Sequence, residues 1–477
     1  MKIIKTTDKN DNSLSIGKEL SSFRDDSGFI FKKEGVIYRS VSYKFKKDFD
    51  FFIQSGLNAE LVDKNFLISH IELDNDFKNF ESYKILLPKQ LSFISYPYEW
   101  SFSMLLDAAL LTLKIQKIAL QFGMMLKDAS TYNIQFIGSK SIFIDTLSFE
   151  IYEEGKPWQA YGQFCRHFLA PLALMSKVDV ALNKLLITHL DGVLLPLASK
   201  LLPLKTKFNI GLYLHLHLHA KAQVVNQDKK IDPSKNKISK KSVENVVENL
   251  TSTVTALKYV PEGTEWGEYY NKDVEKSYFE NKVEIVSQFL RKIKPTNVLD
   301  LGSNDGAFSR LAANYADNVY SFDIDPACVE KNYLSLKKEK NTKITPLLFD
   351  MANPSPGIGW INLERTSLWD RVKVDTIMAL ALIHHLCISN NLPFSYLAEF
   401  FAKHCNFLII EWVPKEDEKV QRLLQNRKDI FSEYNLSNFL KSFSPFFDLL
   451  SNEELITKRI LLLFKNKKNF LKLLQPN

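Results

Sequence analysis

The densest chemistry in the chain is carried by two glycines and a succession of acids. In Val298–Arg310 (VLDLGSNDGAFSR) an apolar run ends in Asp300, turns through Gly302 and Gly306 and enters a helix-like stretch. Gly302 suits a tight turn at positive φ, and Gly306 lets the start of the helix lie close to a ligand. A second apolar run, Val319–Asp323, ends in an acid 23 positions beyond Asp300. From there a carboxylate can accept hydrogen bonds from two ribose hydroxyls. Asn304 stands where a dinucleotide-binding turn would carry its middle glycine, and Asp305 adds negative charge at the helix start. An acid at that point opposes a pyrophosphate and favours a cationic ligand.

The residues that follow keep the same order. Ile344–Asp350 is a third apolar run ending in an acid, Val374–Leu386 runs into the pair His384 and His385, and Phe407–Val413 carries Glu411 near its end. Imidazole titrates near neutrality, so either histidine is a candidate base. Alternation along the chain sends the two rings in different directions, so at most one faces the acceptor, and His385 is the preferred of the two. Elements that end in this way are strands of an open α/β sheet, whose ligands bind at the carboxyl ends. An NAD-type enzyme and a plain βαβ turn without a ligand are the alternatives.

The Val298–Arg310 turn resembles motif I of the class I S-adenosylmethionine-dependent methyltransferases. This implies that Asp300, Gly302, Asn304, Gly306, Asp323 and Asp350 hold the cofactor, with Asp350 beside the adenine amino group. It also implies that the helix-like stretch Val283–Ile293, with the aromatic lead-in Trp266–Tyr270 and Tyr278, caps the pocket. Together with Leu126–Ser130, Phe143–Phe149, Leu382–Leu386 and Glu411–Asp417, the chain is similar to the NoeA-like group of host-specific nodulation proteins. The expected fold is α/β: a C-terminal Rossmann-like methyltransferase domain, with a mostly parallel seven-stranded sheet and helices on both faces, beside an N-terminal α+β domain. The missing Asn-Pro-Pro-Tyr and Pro-Cys motifs after the fourth strand leave an oxygen acceptor as the default, and the resemblance to nodulation proteins implies that a small molecule or glycan carries it. An RNA or protein acceptor stays open, with the N-terminal domain as binding module.

At 477 residues the chain exceeds what one core usually organises. The polar stretch after Ala222 divides it into an N-terminal domain at 1–222, a linker at 223–244 and the methyltransferase domain at 245–477. The net charge of +7 is spread along the chain without a basic block, so nucleic acid is not the expected partner. Cys165, Cys328, Cys387 and Cys405 lack the spacing of a zinc site or disulfide framework. No apolar run reaches membrane-spanning length, and a cytoplasmic setting is expected.

The N-terminal domain has its own constellation. Asp128 and Asn133 lie five apart, and the apolar hairpin Ile134–Asp145 ends in a further acid. Kinase-type phosphotransferases use this spacing for a catalytic Asp, a metal-binding Asn and a metal-binding Asp. The domain thus resembles the catalytic lobe of an aminoglycoside-kinase-like fold, and a bifunctional protein is a third reading. A glycine-rich loop is missing, no strand lysine stands out, and Thr146-Leu147 follows the second Asp, so a binding or scaffold role is expected rather than phosphotransfer. In Leu212–Ala220, His215, His217 and His219 alternate with leucines; on a strand they would share a face, and on a helix they would spread around it.

Overall fold

The computed structural model describes residues 17–19, 21–73, 81–225, 237–261, 273–425 and 427–467. The expected lead-in Trp266–Tyr270 and residues 226–236 of the polar linker lie outside these residues.

The N-terminal half opens on a five-stranded antiparallel sheet in the order β1-β2-β3-β5-β4, from Gly17–Lys18 (β1), Gly28–Lys33 (β2), Val36–Val41 (β3), His70–Leu73 (β4) and Lys84–Pro88 (β5). The helix Phe102–Gln121 follows, with Ser101 Oγ accepting from the Met104 amide as its cap. Most of its side chains are buried, so it is a core helix with apolar contacts all round. Two small ladders then shape a loop cluster: Met124–Leu126 (β6) pairs with Phe149–Ile151 (β9), and Ile134–Ile137 (β7) with Lys140–Phe143 (β8).

The C-terminal half is one seven-stranded sheet in the order β12-β11-β10-β13-β14-β16-β15. Its strands are Asn297–Leu301 (β10), Asn318–Asp323 (β11), Ile344–Leu348 (β12), Thr376–Ala379 (β13), Phe407–Trp412 (β14), Phe447–Glu454 (β15) and Ile460–Asn466 (β16). The first five run parallel, and β16 pairs antiparallel with both β14 and β15. The five parallel strands are largely buried on both faces, as helix-covered parallel strands must be. The strand order reverses between β10 and β13, which opens a crevice at their carboxyl ends.

The helix at the end of the expected linker, 223–244, packs on the N-terminal half. The helix Lys240–Thr255 was assigned from residue 245 onward to the methyltransferase domain, yet it lies against Phe102–Gln121. Val243, Val247, Leu250 and Val254 fall at helical spacing on one buried face, and Lys117 pairs with Glu248 at 3.1 Å. The two halves also share a core, with Phe93 against Tyr320 and Phe136 against Tyr333. A buried ion pair, Arg371–Glu99, and the Tyr333 hydroxyl on Asp107 at 2.7 Å cross the same boundary.

The histidine repeat is helical rather than extended. His215 bonds the Tyr161 hydroxyl and Asn249, each at 2.8 Å, and His217 bonds Ser199 at 2.8 Å and Thr206 at 2.9 Å. The shared face that a strand would have made is therefore absent.

Candidate active site

A cavity of about 280 Å³ lies at the carboxyl ends of β10 to β13. Asp300, Gly302, Asn304, Asp323, Asp350 and His385 all line it. Gly306 and His384 do not. Gly306 is the left-handed cap of the helix Ala307–Ala312, and a Cβ there would meet the Asn332 side chain at 2.5 Å. Its work is close packing behind the cavity. His384 is almost fully buried, its ring centred 4.2 Å from that of His385.

The turn is built from its backbone. The amides of Gly302 and Ser303 both donate to the Phe322 carbonyl, at 2.9 and 3.0 Å, which ties the end of β10 to β11. Gly302 sits at φ +73° and Asn304 at φ +53°. Ala381, on the opposite wall after β13, sits at φ +51°. Non-glycine residues in that region are strained, and such strain collects at ligand sites. The Ser303 Oγ is buried in the wall without a hydrogen-bond partner among the described residues.

The electrostatics are unusual. Asp323 accepts from the amides of Asn304 and Asp325, each at 2.8 Å, with one bond to each carboxylate oxygen. A lone pair is left on each oxygen. Burial raises its pKa against those amides. Asp300 takes the Ser309 hydroxyl at 2.6 Å. Burial pushes its carboxyl up to about 7, against the pull of that bond and of Lys282. Burial, with Arg459 and Lys419 adding repulsion, lowers His385, so its imidazole is neutral at physiological pH.

Beneath this wall lies an ionic cluster of which the sequence singles out Tyr278, Glu411 and Asp417 but not Lys282 or Arg459. Lys282, from the helix Asp273–Ile293, pairs with Glu411 at 2.6 Å, both essentially without solvent exposure. Glu411 also accepts from the Tyr278 hydroxyl at 2.5 Å and lies 3.3 Å from Arg459. Arg459 in turn binds Asp417 at 2.8 and 3.0 Å. Lys282 reaches the cavity wall itself. A lysine inside an amphipathic helix carries no sequence signal of its own, and only the aromatic lead-in pointed there.

The donor set suits a cationic ligand better than an anionic one. Asp300, Asp305, Asp323 and Asp350 line the cavity, whereas its lining cation, Lys282, is committed to Glu411. A pyrophosphate would face these acids without a free positive partner. A ligand with a sulfonium, an ammonium and a vicinal diol meets complementary groups. No protein-family model matches the chain. It is 34% identical over 439 residues to nodulation protein NoeA of Rhizobium meliloti (strain 1021), covering 90% of this chain and 91% of that protein. The chain belongs to the NoeA family. Its C-terminal half is the seven-stranded α/β sheet with the strand-end cavity just described. Solved structures with a similar arrangement include the N-methyltransferase NodS from Bradyrhizobium japonicum WM9, at 10% identity, 40% of this chain, 96% of that one and a TM-score of 0.30. Magnesium protoporphyrin IX methyltransferase from Synechocystis PCC 6803 with bound SAH gives 17%, 43%, 90% and 0.30.

A second cavity, of about 430 Å³, lies under the N-terminal sheet. It brings together Asp128, Asn133 and Asp145. Burial raises Asp128, with the neighbouring Asp145 adding to the shift. Asp145 is already engaged: Arg39 of β3 pairs with it at 2.6 Å, the Leu147 amide at 3.0 Å and the Ser148 hydroxyl at 2.7 Å. An arginine thus holds the carboxylate that would have shared a magnesium ion with Asp128. Among the described residues no group of three or more His, Cys, Asp or Glu side chains is arranged to hold a metal. Glu364 and Arg365 of the C-terminal half reach the same cavity. Glu364 pairs with Arg24 at 2.5 Å, and Arg365 lies over the Tyr132 ring at 4.2 Å. Arg39, Glu364 and Arg365 had no sequence signal, because each acts across a long stretch of chain.

Proposed function

We propose that the protein methylates an oxygen of a small molecule or glycan, with His385 as the base. The observation that carries this reading is the cavity at the strand ends, which places four carboxylates and a neutral imidazole around one space. Asp323 would take the ribose hydroxyls, Asp350 the adenine edge, and Asp300 and Asp305 would offset the positive charges of the cofactor. When bound, S-adenosylmethionine supplies a methyl group on a positively charged sulfur, which departs as a neutral thioether. A hydroxyl seated against His385 would pass its proton to the imidazole as the oxygen bonds to the methyl carbon in line with the breaking bond. His384, buried and shielded from the cavity, would shape the wall behind His385.

His385→Ala should bind S-adenosylhomocysteine as the parent does, yet lose methyl transfer by about 10²–10⁴-fold. The measurement is transfer of labelled methyl to an extract from a strain lacking the protein. An unchanged rate would remove His385 from the mechanism.

The grouping of Asp128, Asn133 and Asp145 around one cavity supports a second, kinase-like reading of the N-terminal half. The Arg39–Asp145 pair favours ligand binding over phosphotransfer there.

A further inference from the structure

The histidine-leucine repeat is turned inside out. His215 and His217 are buried, while Leu214 and Leu218 remain 42% and 44% exposed. Ile210, Leu214 and Leu218 recur at four-residue spacing along one helical face, and Phe208, at 88%, is the most exposed large apolar side chain among the described residues. Leu204, at 74%, stands on the preceding turn Leu204–Phe208. A soluble surface tolerates scattered apolar side chains, but a contiguous group marks a contact surface.

The charges along this segment have one sign. Between Asp191 and Asp228 the sequence has no acid, and it carries Lys200, Lys205, Lys207 and Lys221. All four are exposed, and none lies within ion-pair distance of a carboxylate among the described residues. Lys207 and Lys221 bracket the Ile210–Leu214–Leu218 stripe, three positions beyond either end.

We propose that residues 200–221 form a docking surface for an anionic lipid bilayer, with Phe208, Ile210 and Leu204 entering the headgroup region and the lysines meeting the phosphates. Lysines are depleted from the cores of protein–protein interfaces. Long cationic side chains beside aliphatic ones suit a membrane surface, where the stems lie along apolar groups and the heads stay with the phosphates. The surface lies on the bilayer and does not cross it. No described helix is long and apolar enough to span a membrane.

Flotation of the full chain with vesicles tests this. The protein should float with phosphatidylglycerol-containing vesicles and remain behind with pure phosphatidylcholine, and added salt should release it. Phe208→Ser with Ile210→Ser should weaken binding on the order of tenfold or more. Lys205→Glu with Lys207→Glu should do the same on anionic vesicles only. These side chains are exposed, so an unchanged melting temperature will show that both variants fold. Absence of binding, or binding that both variants retain, would overturn the proposal. So would a concentration-dependent dimer that Phe208→Ser dissolves without any vesicle binding.

Discussion

Asp300 is the residue whose protonation the structure most clearly sets. A carboxyl pushed up to about 7 is partly protonated at neutral pH. A cationic ligand beside it favours the ionised form, so binding at or below that pH must release a proton. Affinity for S-adenosylmethionine should therefore climb as pH rises through about 7 and level off above. Calorimetry in buffers of different ionisation heat will detect the proton. S-adenosylhomocysteine, which lacks the sulfonium charge, should show a shallower pH dependence, and equal slopes for the two ligands would remove this role of Asp300. The methyl-transfer step should behave differently. Because His385 is lowered from the ordinary imidazole value, its basic form persists on acidification, and the step should fail only below about pH 6.5.

Among the elements, the helix Asp273–Ile293 and strand β14 are joined by charge rather than by an apolar seam alone. Lys282, Tyr278 and Arg459 all converge on Glu411. A buried pair of this kind adds little net stability, but removing one partner strands the other in a dry interior. Glu411→Ala should cost about 3–5 kcal/mol in chemical denaturation, and Lys282→Met added to it should restore part of the loss. A single variant as stable as the parent would contradict the burial of this cluster. The strand–turn–helix of β10 was legible in the sequence because all its signals are local: an apolar run, an acid, two glycines and a second acid at a fixed distance. The opposing Lys282 was not legible, because one lysine in an amphipathic helix looks like any solvated one. His385 and His384 could be separated only in part. Alternation put them on different faces, but the buried face could be recognised only from the packing of the segment after β13.

At the scale of the whole molecule, the halves were expected to be separable, and the packing argues against that. The polar composition around 223–244 suggested a boundary, yet the helix Lys240–Thr255 returns to the N-terminal core through Val243, Val247, Leu250 and Val254. Composition reports where the chain is solvated, not which body the next helix packs against. Arg371–Glu99 and Arg24–Glu364 add ionic ties between the halves. A fragment beginning at residue 245 should expose the apolar face of that helix and aggregate. A fragment ending at 222 should lose the same contacts and melt well below the parent. Independent, fully cooperative melting of both fragments would show that the shared core is dispensable.

Isothermal titration of the full chain with S-adenosylmethionine and S-adenosylhomocysteine should show one site per chain for either ligand. Asp323→Ala should weaken it by about 1–3 kcal/mol through lost charge-assisted hydrogen bonds, and NAD should give no heat. Tight NAD binding, or no binding of S-adenosylmethionine to the intact protein, would contradict the account.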